Sequence, residues 1–317
     1  MATAAAMAPH PGSAQADVAS YPSRPIRIIV PQSPGASTDL TARVVAQRLS
    51  EAVKQPVVVD NRPGAGTIIG TDLLVRAAPD GYSLLVVAAG ITINPIIYRK
   101  IPYDVSRDLA PITQLTTFSN MLVAHPAFAA KTLPELIAMA KARPGGINCA
   151  IAGAGSGTHM SLELLKMMAG IDVTAIPYVG GGPAAIATMG GQVQLNVGTT
   201  GGLLQHTRSG KLRAIAVSSA QRAAAAPDVP TIAESGVPGY EHTPWNGMFA
   251  PAKTPPALIA RIHAEVVRVI HSAEARKLLL HDGLEPVGNS PQAFAAIVKE
   301  ELARWPKVAL AAGIKPQ

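Results

Sequence analysis

The apolar positions of this chain fall into short runs that alternate with stretches of helical period. Ile26-Arg27-Ile28-Ile29-Val30 is the first run and has strand character; Leu40, Val44, Val45, Leu49 and Val53 then recur on one helix face. Between them lies a breaker-rich turn, Pro31-Gln32-Ser33-Pro34-Gly35-Ala36-Ser37-Thr38-Asp39. Further strands are expected over residues 57–59, 84–87, 121–124, 147–152, 175–178, 194–197 and 212–217. Helices are marked by their starts. Thr132-Leu133-Pro134-Glu135 is a capping box, Thr254-Pro255-Pro256 opens a helix running towards Ile270, and Ser290-Pro291 opens the last one. Pro306 is expected to kink or end that last helix. No tandem repeat is visible. Alternating strand and helix signals imply an α/β protein with mostly parallel sheets.

A strand, a small-residue loop and a helix start present unpaired backbone N–H groups at the positive end of a helix dipole. Such a site holds carboxylate or phosphate without a lysine. The pattern occurs after Val30 and again at Ile151-Ala152-Gly153-Ala154-Gly155-Ser156-Gly157-Thr158-His159. Two anion cradles far apart in the chain imply a ligand gripped between two lobes.

Composition narrows this picture. A chain of 317 residues can bury one large core or two of ordinary domain size. Apolar residues are 48% but aromatics only 4%, so the core must be built mainly of Ala, Val, Ile and Leu. No apolar run reaches the length of a membrane span, and the mature chain is expected to be soluble. The net charge of +7 favours anionic ligands by steering. Nucleic acid is not expected, because the basic residues are scattered singly and aromatic stacking platforms are lacking. Cys149 is the only cysteine; it allows no internal disulfide and reads as a small core hydrophobe. The Pro-rich stretch from Tyr240 to Pro256 suits a crossover back to the first lobe. Residues 1–20 are expected to be a signal-peptide remnant or a disordered N-terminus. The remnant reading rests on Ser13-Ala14-Gln15-Ala16-Asp17, whose small-x-small form suits cleavage after Ala16.

Catalytic readings fail on spacing. Gly64-Ala65-Gly66-Thr67-Ile68-Ile69-Gly70 resembles some dinucleotide loops, but the acid expected to bind ribose would fall near Asp80-Gly81, which reads as a turn. The glycines are better explained by a tight turn and close helix packing. Ser156 lacks the Gly-x-Ser-x-Gly elbow, since positions 154 and 158 are Ala154 and Thr158, and no acid can be assigned to a Ser156–His159 pair. His263 and His271 stand eight apart, and His125 and His242 are isolated, so no metal spacing exists. No Walker-type loop precedes Lys211. Binding is expected, with no catalytic residue, cofactor or metal.

Several motifs share an order and spacing. They are Tyr21-Pro22-Ser23-Arg24-Pro25-Ile26-Arg27, Ser33-Pro34-Gly35, and Val57-Val58-Val59-Asp60-Asn61-Arg62-Pro63-Gly64-Ala65-Gly66. Pro79-Asp80-Gly81-Tyr82, Pro102-Tyr103-Asp104, Pro177-Tyr178, Arg213-Ala214-Ile215-Ala216-Val217 and Pro230-Thr231-Ile232-Ala233-Glu234 follow. Trp245, Gly247 and Ala250-Pro251 complete the set. From Tyr21 to about Ile314 the chain resembles the substrate-binding proteins of tripartite tricarboxylate transporters, the Bug family. The resemblance implies a two-lobed periplasmic binding protein of type II, a Venus-flytrap, each lobe a mostly parallel sheet flanked by helices. Lobe one would comprise residues 21–120 and 245–317, and lobe two residues 121–244, with crossovers near Met121 and near 245–249.

The implied function is capture of a small organic carboxylate in the interlobe cleft and its delivery to transporter membrane subunits, by an exported, periplasmic monomer. A sensor subunit signalling to a membrane kinase is the alternative, and an α/β enzyme a third reading. Family practice assigns the ligand to Ser33, Gly35, Ala36, Ser37 and Thr38 of the first loop, and to Gly155, Ser156, Gly157, Thr158 and His159 of the second. Tyr178, Gly180, Gly198 and Thr199 complete the expected binding set. Three departures from the family pattern stand out. Ala36 replaces the second glycine of the first loop, Val179 stands where a lysine is usual, and Gly198-Thr199-Thr200-Gly201 lacks the common acid. The last change points to a ligand without an amine. Asp39 is expected to order the first helix turn rather than to touch ligand, and Trp245 either lines the cleft or packs.

Overall fold

The structure is a computed structural model and describes residues 20–314 and residue 316. The expected signal remnant, Ser20 apart, lies outside the described residues. In chain order the first elements are β1 (Ile26–Val30), α1 (Ser37–Val53), β2 (Val57–Asn61), α2 (Ile68–Val75), β3 (Ser83–Ala88), α3 (Asn94–Ile97), α4 (Val105–Asp108) and β4 (Leu109–Thr117). Next come β5 (Asn120–Ala124), α5 (Leu133–Ala142), β6 (Asn148–Ile151), α6 (Gly157–Ala169), β7 (Thr174–Pro177), α7 (Gly181–Met189), β8 (Leu195–Thr199), α8 (Thr200–Arg208) and β9 (Arg213–Val217). The chain ends with β10 (Trp245–Pro251), α9 (Pro256–Ile270), α10 (Ala273–His281), β11 (Glu285–Pro286) and α11 (Pro291–Ala311).

These strands form two sheets, ordered β11-β4-β10-β3-β1-β2 and β7-β6-β8-β5-β9. The α/β architecture with two helix-flanked sheets matches the expectation, but the sheets are mixed rather than mostly parallel. β1 pairs in parallel with β2 and β3, and β6 with β7 and β8. β10 is antiparallel to β3 and β4, and β5 is antiparallel to β8 and β9. β5 and β10 are the first strands after the chain passes from one sheet to the other. Each enters its new sheet from the opposite end and therefore runs against its neighbours.

Period-two alternation feeds a separate core on each face of the first sheet. Ile28, Leu84, Val86 and Met248 pack with α1 and α9, whereas Ile29, Leu85, Val87 and Phe249 pack with Trp245 and Phe294. In the second sheet Leu122, Cys149, Ile151 and Val197 face one core, and Met121, Val123 and Val217 the other. Cys149 is fully buried, and burial pushes its thiol up to about 12, as suits a core hydrophobe.

Helix α11 joins the two halves. Phe294 and Val298 enter the first sheet's core, whereas Trp305, Val308 and Ala309 enter the second's. The helix runs through Pro306 to Ala311 instead of ending there. Trp305 and Val308 on either side of the proline are buried to 0% and 1% exposure, and that packing outweighs the lost backbone bond and ring clash of an interior proline, together about 3 kcal/mol. The last turns of the segment expected in lobe one thus pack on the second sheet.

Candidate functional site

A cleft of about 410 Å³ lies between the sheets. The first half contributes Gln32, Ser37, the Gly66–Thr67 turn, residues 88–90 and α3; the second contributes Asn120, residues 152–158 and Thr199. Phe118, His242 and Pro244 close it from the connecting segments. Among the described residues no Lys, Arg, Asp or Glu lines it.

The second loop is held by neutral groups. Ser156 caps α6, its Oγ accepting from the His159 amide at 3.2 Å. Thr158 Oγ1 accepts from the Ala152 amide at 2.9 Å and bonds the Ser156 hydroxyl at 2.9 Å. The Gly155 amide donates to His159 Nδ1 at 3.0 Å, while Nε2 of the same ring lies 3.5 Å from Glu163. Burial tends to raise the Glu163 pKa, but its bonds to His159 and Lys166 outweigh that and leave it lowered. His159 is therefore a strut of the loop and does not line the cleft. The Gly157 and Thr158 amides belong to the first turn of α6, where no earlier helical carbonyl can accept from them.

The first loop is organised by a charge. Asp39, 2% exposed, accepts from the Gly35 amide at 2.9 Å and from Arg43 Nε at 2.9 Å on one oxygen, and from Asn61 Nδ2 at 2.9 Å on the other. Burial alone would raise its pKa; the bonds from Arg43, Gly35 and Asn61 overcome that and hold it below the ordinary carboxylate value. Asp39 thus orders the turn. Thr38 is fully buried and donates to Gln32. Of this loop only Gln32 and Ser37 line the cleft.

Two positions were legible only as turn chemistry. In the segment Ala65-Gly66-Thr67 all three residues have positive φ, 46°, 61° and 85°. For β-branched Thr67 this is a strained conformation. Asn94 holds it, donating to Gly66 O at 2.7 Å and to Thr67 Oγ1 at 3.0 Å. A side chain on Gly66 would overlap the Tyr98 hydroxyl. Gly155, with φ of 71°, faces Ile97 across the cleft, and a Cβ there would sit 2.8 Å from that side chain.

The structure therefore brings Ser37, Gly155, Ser156, Gly157, Thr158 and Thr199 to one cavity. Ser33, Gly35, Ala36, Thr38, His159, Tyr178, Gly180 and Gly198 do not line it. Tyr178 packs with the Ala150 and Ala184 core, and Gly198 lets β8 pass close to Leu203. Trp245 is core, edge-on to Phe294 at 5.0 Å. Asn94, Tyr98, Asn120 and His242 were not foreseen as site residues, since nothing local in their segments marks them. Among the described residues no three metal-capable side chains gather, and no helix is long and apolar enough to cross a membrane.

Residues 41–314 match the tripartite tricarboxylate transporter family receptor. The chain belongs to this family. It is 38% identical to protein BugT of Bordetella pertussis over 302 residues, covering 93% of this chain and 91% of BugT. Among solved structures it is similar to Rpa4515 of R. palustris with adipate, at 34% identity and a TM-score of 0.81, covering 94% of this chain and 100% of the other. It is also similar to MatC from Rhodopseudomonas palustris with bound malate, at 32% identity and a TM-score of 0.76, covering 91% and 99%. The fold is that of the periplasmic binding proteins of this receptor family.

Proposed function

We propose that this receptor captures a small organic carboxylate in the periplasm and hands it to transporter membrane subunits. The observation carrying the reading is that the starts of α1 and α6 meet at one cleft that no charged side chain among the described residues lines. Backbone amides and helix dipoles then supply the anion site, and an ammonium group would find no counter-charge. Rpa4515 with adipate and MatC with malate support a carboxylate ligand. The lobes comprise residues 21–120 with 245 onwards, and 121–244, with α11 as a strap across both. The protein is exported and acts as a monomer.

A thermal-shift screen of organic acids, amino acids and neutral amides tests this. Carboxylates without an amine should raise the melting temperature by mass action. A protein stabilised by amino acids or neutral amides, and by no simple carboxylate, would refute it.

A further inference from the structure

Two buried polar side chains on the cleft wall each leave one atom unbonded among the described residues. Asn120 Nδ2 and His242 Nδ1 lack partners, although each residue is only 1% exposed and lines the cleft. Ser218 fixes both from behind. Its Oγ accepts from the Asn120 amide at 2.9 Å and donates to the His242 carbonyl at 2.6 Å. Its amide donates to Asn120 O, and its carbonyl accepts from the His242 amide, both at 2.8 Å. The imidazole stands edge-on to Trp305, with ring centroids 4.9 Å apart. Its Cε1 lies 4.0 Å from where a Cβ on Gly157, the first residue of α6, would be.

A buried polar atom without a partner is costly, so two of them on residues lining one cleft mark where a ligand completes the bonding. We propose that Asn120 and His242 determine specificity by reading a hydroxyl on the bound acid, close to its carboxylate. The proposal rests on the carboxylate-receptor reading above. A hydroxyl oxygen accepts from the Asn120 amide nitrogen and can donate to, or accept from, Nδ1 in either imidazole tautomer. No Lys or Arg among the described residues lines the cleft to balance a second carboxylate there. Burial, helped by nearby Arg304, keeps the imidazole neutral, so it reads a dipole and not a charge. The nearness of His242 to Gly157 places the hydroxyl beside the acid group held at the start of α6.

Calorimetry on the full chain with matched acids tests this, using lactate against propionate, mandelate against phenylacetate and malate against succinate. In at least one pair the hydroxy acid should bind about tenfold tighter or more. Asn120→Ala and His242→Phe should shrink that ratio to within about threefold. His242→Gln, which retains a hydrogen-bonding group, should keep part of the preference. Equal affinities within every pair in the wild type would overturn the proposal, as would a preference that survives both substitutions. Should a substituted chain not fold, the wild-type ratios and His242→Gln still decide. Binding of plain acids such as benzoate, with no hydroxy preference, would remove this inference and leave the receptor reading standing. Binding of no acid at all would remove both.

Discussion

The starts of α1 and α6 are built by the same strand–loop–helix device, yet they are stabilised in opposite ways. At α1 an ionised, buried carboxylate already occupies the turn, taking the Gly35 amide and balanced by Arg43 and Asn61. At α6 only hydroxyls and an imidazole hold the loop, and the run from Ala152 to Thr158 lies open to the cleft. The internal anion takes the amide of Gly35, which precedes the first turn of α1, and sets a fixed negative charge beside that turn. At α6 Ser156 takes the His159 amide and leaves those of Gly157 and Thr158 for an external anion. The α6 side should therefore carry most of the ligand's carboxylate, with the α1 side closing over it through Ser37.

The sharpest way to break this contrast is to remove the internal charge. Asp39→Ala leaves Gly35 N–H and Asn61 without their acceptor and should cost about 2–3 kcal/mol in urea unfolding. Its protective effect should be present above about pH 3.8 and fade as pH falls through the lowered folded value. A near-zero cost would mean the first loop does not depend on its carboxylate. Thr158→Val removes the acceptor for the Ala152 amide and should weaken carboxylate binding by about 2 kcal/mol. Gly155→Ala forces a Cβ against Ile97 at a left-handed position and should weaken binding by about 1–2 kcal/mol. Ile97→Ala in the same chain should restore part of it. Ser37→Ala should cost about 1 kcal/mol or less in affinity, since α1 is the lesser partner. A larger loss there than at Thr158 would invert the comparison.

The smallest expected effect is the net pH dependence of wild-type stability, because two buried groups oppose each other. Burial raises Glu301 to about 7, although Thr92 and Trp245 donate to it at 2.9 and 3.1 Å. Its contribution is complete below pH 4.5 and is lost as pH rises through 7. His242, lowered to about 3 by burial and Arg304, contributes fully above pH 6.5 and loses this as pH falls towards 3. Between 4.5 and 6.5 the slopes cancel. Glu301→Gln should uncover loss of stability on acidification, and His242→Phe loss on raising pH, each by roughly 1.4 kcal/mol per pH unit. Parallel profiles in all three proteins would contradict this pairing.

What could be read from the sequence was local. The change from a short apolar run to helical period announced β1–α1, and the succession of strand, small-residue loop and helix start announced β6–α6. β4 and β10 escaped because they carry Thr113, Gln114, Thr116 and Asn246 at buried positions, polar groups that only pairing within the sheet makes tolerable. Gly247 in β10 reads as a breaker, yet it is the space that Phe294 fills. The far wall of the cleft was equally hidden. Asn94, Asn120 and His242 come from three separate segments, and their roles arise from contacts that no window of sequence contains.

The central claim, an anion held chiefly at the start of α6 and capped from α1, is tested most directly by amide chemical shifts during titration with a carboxylate found by thermal shift. Gly157 and Thr158 should move furthest downfield, Ser37 should follow with a smaller change, and Gly35, committed to Asp39, should stay near its starting position. Large shifts at Gly35 with none at Gly157 and Thr158 would place the carboxylate at the other helix and contradict the account.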